Sequence, residues 1–112
     1  MSTVPIIYVA DVERSACFYE QAFDFERAFE WKEDDGHFVA LRREGSDLGI
    51  GRGEERGGFE LCLYVQNTDA AVARLRELGA TEISAPVDMR WNERLAFFED
   101  PGGHRLHVTM SL

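Results

Sequence analysis

The chain has 112 residues, 45% hydrophobic and 29% charged, which is the composition of one globular domain and not of a disordered tail. Twelve Lys and Arg against twenty-one Asp and Glu leave a net charge of −9. That sign excludes the basic surface a nucleic acid or an anionic membrane requires, and it favours neutral or cationic ligands.

The N-terminus, MSTVPIIYVADVERS, has neither a basic leader nor a long apolar core, and no window approaches the roughly eighteen apolar residues of a membrane span. A cytoplasmic protein is therefore expected, with Cys17 and Cys62 reduced, since they have no CxxC spacing. In chain order, the run STVPIIYVAD is rich in β-branched and aromatic residues and reads as a strand. Asp11 is placed to cap a helix through VERSACFYEQAF. Short alternating segments follow: FERAFEW, HFVALRRE and DLGIG, separated by the turn signals DDG and EGSD.

The same order then repeats. RGEERGG (52–58) reads as a linker, FELCLYVQN as a strand, and Asn67 as the cap of the helix TDAAVARLRELG, which Gly79 stops. Ala71, Val72, Leu75 and Leu78 form its apolar stripe. TEISAP, RLAFFED and HRLHVTM close the chain as strands, with DPGG as a turn. Asp11 and Asn67 lie 56 positions apart, as do Tyr8 and Tyr64. The pattern is βαβββ twice, an α+β fold of two modules, about 1–52 and 58–112, in one domain covering 1–112. Neither module is large enough to be comfortable alone, so the two are expected to share a sheet or to exchange elements in a dimer.

Period-two alternation sorts the strands into faces. Leu61, Leu63 and Val65, like Leu106, Val108 and Met110, belong on the helix. Glu60, Cys62 and Tyr64, with Arg105, His107 and Thr109, belong on the other face. The same parity sends Ile7 and Val9 to the helix and Val4, Ile6 and Tyr8 away from it. A face that mixes aromatic and polar side chains suits a ligand cleft, and it equally suits a solvated sheet with cross-strand pairs.

Two stretches carry a family resemblance: VADVERSACFYEQAFDFE (9–26) and FFEDPGGHRLHV (97–108). With the paired repeat, the chain resembles the vicinal oxygen chelate superfamily, the glyoxalase, bleomycin-resistance and extradiol-dioxygenase group. Asp24 stands where that group usually has glycine. The resemblance implies paired βαβββ modules curling into a cup-shaped mixed sheet, commonly in a homodimer. Enzymatic members hold a divalent metal on the first and last strands of the modules, where it acts as a Lewis acid. Here the corresponding positions are Val4, Gly49, Glu60 and His107. Only Glu60 and His107 offer donors, fewer than a tight transition-metal site uses. His37, His104, Asp47 and Cys62 are other sources of a ligand; His104 is expected on the solvent side of its turn and His37 at a turn edge.

The resemblance is closest to the metal-free bleomycin-resistance branch, which implies a non-catalytic protein that sequesters an aromatic or cationic antibiotic-like ligand in a dimer cleft, with no cofactor. The expected ligand-binding residues are Tyr8, Trp31, Glu60, Tyr64, Trp91, Arg105 and His107. Tyr and Trp would stack, Glu60 would supply a counter-charge, and Arg105 and His107 would donate hydrogen bonds. Most of the phenylalanines are expected in the core. The alternative is a metal-dependent lyase, isomerase or dioxygenase with a degenerate site at Glu60 and His107.

Overall fold

The computed structural model describes residues 4–54 and 60–112. They form two successive βαβββ modules, each with one mixed four-stranded sheet. The chain divides into two compact units, Met1–Arg56 and Gly57–Leu112.

In the first unit, β1 (Ile6–Val9) leads through α1 (Val12–Phe23) to β2 (Glu26–Glu33), β3 (Gly36–Arg43) and β4 (Ser46–Arg52). The sheet order is β1-β4-β3-β2, parallel between β1 and β4 and antiparallel elsewhere. The Asp11 carboxylate accepts the Arg14 N–H at 3.1 Å, satisfying a free donor of the first helical turn. At the other end Asp24 adopts φ 60°. The left-handed stop usually made by glycine is thus made by a residue whose short polar side chain tolerates it. The helix buries Val12, Ala16, Tyr19 and Phe23 on the sheet face formed by Ile7, Val9, Val39, Leu41, Leu48 and Ile50.

The second unit repeats the plan with β5 (Glu60–Tyr64), α2 (Thr68–Glu77), β6 (Thr81–Met89), β7 (Glu93–Glu99) and β8 (Arg105–Ser111). Its order is β5-β8-β7-β6, parallel between β5 and β8. Asn67 caps α2 by accepting the Ala70 N–H at 3.0 Å, and Gly79 takes φ 76° just past its end. Val72 and Leu75 pack with Ala96, Phe98, Leu106 and Val108 in the core. No helix among the described residues is long and apolar enough to cross a membrane.

Some expectations need correction. Leu78 is exposed and contributes little to the stripe of α2, because the helix ends at Glu77 and the chain turns at Gly79. Arg52 closes β4 and does not open a linker; 55–59 lie outside the described residues. His104 is buried, not on the solvent side of its turn. It shares the parity of Leu106 and Val108, and Asp100 Oδ1 gathers the turn beneath the sheet. That oxygen accepts the N–H groups of Gly102 at 2.9 Å and His104 at 2.8 Å, and lies 3.3 Å from His104 Nδ1.

Candidate functional site

Each sheet has one face on its helix and one free of it, and every residue expected to bind a ligand on a strand lies on a free face. In the first unit that face carries Ile6 and Tyr8 on β1, Phe38 on β3, and Phe29 and Trp31 on β2. Ile6, Tyr8, Phe29 and Trp31 are all exposed despite their size. Glycines on β4 give the rings their floor. A Cβ at Gly49 would come within 3.0 Å of both Ile6 and Phe38, and one at Gly51 within 3.2 Å of the Tyr8 ring. Trp31 lies across the β2–β3 hairpin onto Gly36, where a Cβ would overlap its ring at 2.4 Å. The middle of this face is therefore apolar and aromatic, with glycines making room for the rings and Glu33 and the Arg42–Asp47 pair at its ends.

The free face of the second unit is polar. The parallel pairing of β5 and β8 sets Glu60 beside Arg105, Cys62 beside His107 and Tyr64 beside Thr109. Glu60 Oε1 lies 3.4 Å from His107 Nδ1. The Arg105 guanidinium stands 5.0 Å over the Phe97 ring, a cation–π distance, and Phe97 lies 5.2 Å from the His107 ring. Tyr64 and Trp91 are both more than half exposed, at 62% and 55%. Trp91, in the β6–β7 turn, donates its indole N–H to Glu93 Oε1 at 2.9 Å. The negative charge of Glu93 also pushes the Tyr64 phenol up, and burial followed by Glu93 and Glu60 pushes the Cys62 thiol up.

Glu60, Tyr64, Trp91, Arg105 and His107 therefore share the second unit, while Tyr8 and Trp31 lie on the first. Sequence reasoning missed Glu93, which is on the same face as Leu95 and Phe97. Alternation would have found it had the strand been started one residue earlier than Arg94. It also missed that Thr109, although on the free face, is buried, with a hydroxyl that has no partner among the described residues. Phe29 and Phe38 are likewise on a free face and not in the helix-side core.

The donors present do not match the metal that the resemblance implies. Val4 has no donor atom, and the space beside Gly49 is filled by Ile6 and Phe38. Among the described residues no third His, Cys, Asp or Glu joins Glu60 and His107 in a group tight enough for an ion; the trio that meets that spacing is Glu13, Glu30 and His37. This trio lies on the helix side of the first sheet and is bridged by Arg27. The guanidinium contacts Glu13 at 3.0 Å, Glu20 at 2.8 Å and Glu30 at 3.2 Å, while His37 Nε2 lies 2.7 Å from Glu30. His37 sits at the turn-proximal start of β3, as expected of a turn-edge residue, but its side chain is buried and in hydrogen-bond contact with Glu30. The Arg27 hydrogen bonds, helped by Cys17, hold the Glu13 carboxyl down to about 2. The cation that neutralises this cluster is Arg27 itself. The family's metal does not fit the donors described at Val4, Gly49, Glu60 and His107, and no chemical step is derived through it.

Comparison with known proteins places this architecture. A family model described as the Glyoxalase/Bleomycin resistance protein/Dioxygenase superfamily matches residues 3–108. Among solved structures, a glyoxalase/bleomycin resistance protein/dioxygenase family enzyme from Burkholderia phytofirmans PsJN superposes with a TM-score of 0.82 at 21% identity, covering 97% of each chain. An antibiotic binding protein from Streptomyces sp. CB03234 gives 0.76 at 24% identity, over 100% of this chain and 98% of the other. The fosfomycin resistance protein FosX of Listeria monocytogenes gives 0.82 at 16% identity, over 100% of this chain and 93% of the other. No match is found among curated proteins. The chain belongs to the glyoxalase/bleomycin resistance protein/dioxygenase superfamily.

Proposed function

We propose that this protein is a non-catalytic binder that sequesters an aromatic, antibiotic-like small molecule, acting as a homodimer of single-domain chains. The observation that carries the reading is the set of large aromatic side chains left exposed on or beside the sheet faces that no helix covers: Tyr8, Phe29 and Trp31 on one, Tyr64 on the other with Trp91 in the adjoining β6–β7 turn. Exposed rings of this size lose apolar hydration when they stack on a flat guest. The polar neighbours Glu60, Arg105 and His107 would orient that guest. The short supply of metal donors removes the usual electrophile of the enzymatic branch, and the Streptomyces relative is named as an antibiotic binding protein.

Titration with planar antibiotics, followed by tryptophan emission and calorimetry, tests this. A guest should bind the parent protein, and Tyr64→Ala with Trp91→Ala should weaken it by about thirty-fold, the equivalent of roughly 2 kcal/mol of lost ring contacts. Unchanged affinity in the double variant would refute the assignment of this face.

A further inference from the structure

Building on that reading, we infer that the corner formed by Tyr64, Trp91 and Glu93 selects guests carrying a protonated amine on an aromatic ring. Glu93 is the centre of the argument. Its carboxylate accepts the Trp91 indole N–H at 2.9 Å, and among the described residues it forms no ion pair with a Lys, Arg or His. A carboxylate has about four acceptor positions, and a neutral indole donor leaves its charge intact. Arg105, the nearby cation of the same face, is turned to Phe97 at 5.0 Å.

The surroundings are consistent with an uncompensated negative charge. Glu93 is the largest influence pushing the Tyr64 phenol up, and the Cys62 thiol is raised by burial and then by Glu93 and Glu60. Thr109, directly across from Tyr64 on β8, has a buried hydroxyl with no partner among the described residues. Within the corner the Glu93 carboxylate is the one negative charge, it has no cationic partner among the described residues, and the two most exposed walls are π faces. An ammonium group meets all of these conditions: it donates hydrogen bonds, neutralises the carboxylate and is attracted to the rings.

Three naphthalene probes separate the terms: 1-naphthylmethylamine, its uncharged isostere 1-ethylnaphthalene, and the slightly larger anion 1-naphthylacetate. Calorimetry or ligand-observed NMR at low ionic strength should show the amine binding about ten-fold more tightly than the isostere, with the anion weakest. In Glu93→Gln, which keeps an acceptor for Trp91, the amine should fall to within about two-fold of the isostere while the isostere is unchanged. The preference should also shrink in high salt. Equal affinity of amine and isostere, or a preference that survives Glu93→Gln, would overturn the inference and leave the aromatic-binding reading intact. Failure of all three probes to bind would overturn both.

Discussion

Replacing Arg27 by methionine isolates the electrostatic part of the first unit's stability. Methionine keeps most of the apolar stem but removes the guanidinium that Glu13, Glu20 and Glu30 share. Arg27 is only 22% exposed, so its charge is less screened than that of a surface pair. The Glu13 carboxyl, held down to about 2, sits far enough below its ordinary range to correspond to about 3 kcal/mol without screening. Half of that side chain is open to water, 53% by area, which reduces the measurable share to about 1 kcal/mol. With the loss of the Glu20 contact, the variant should be less stable by about 1.5 kcal/mol at pH 7. The pH dependence has a fixed sign. A carboxyl whose folded pKa is depressed stabilises the fold above its unfolded pKa, and that contribution disappears as pH falls towards the folded value. The gap between parent and variant should therefore narrow from pH 5 downwards, to under about half its neutral value near pH 3. Urea unfolding at pH 7 and pH 3, read by far-UV circular dichroism, measures it. A gap below about 0.3 kcal/mol at pH 7, or one equal at both pH values, would refute the reasoning.

The structure makes further predictions. Gly36→Ala should displace the Trp31 ring, since the new Cβ would overlap it, shifting Trp31 emission in a Trp91→Phe background while costing less than about 1 kcal/mol of stability; unchanged emission would contradict the packing described. Asp100→Ala should cost about 2–4 kcal/mol, because the buried N–H groups of Gly102 and His104 lose their acceptor, and a loss under about 1 kcal/mol in urea unfolding would show the turn is held otherwise. Leu106→Ala, at a fully buried position, should cost about 3–5 kcal/mol by the same assay.

The fold was legible because its signals are local. Asp11 and Asn67 announce helix starts, and the alternation of Ile6, Ile7, Tyr8 and Val9 already separates buried from exposed positions. The site was legible in part, for the same reason: parity places Glu60, Tyr64, Arg105 and His107 on one face. What sequence could not give depends on contacts made at a distance. Arg27, Glu13 and His37 lie on three different elements, and no periodicity brings them together. Glu93 was hidden by a strand boundary one residue out, and strand ends are weakly marked where turn and strand residues overlap in character. His104 carries the sequence signal of a solvated turn residue, whereas Asp100 accepts its backbone N–H and the side chain is buried.

The central claim is that the guest is held and not transformed. Protein stripped with a chelator should be titrated with planar antibiotics, and the bound compound recovered and examined by mass spectrometry. The account predicts stoichiometric binding without added metal and recovery of the unaltered guest. A chemically changed guest, or binding that appears only with a divalent ion and is lost in Glu60→Gln, would contradict it.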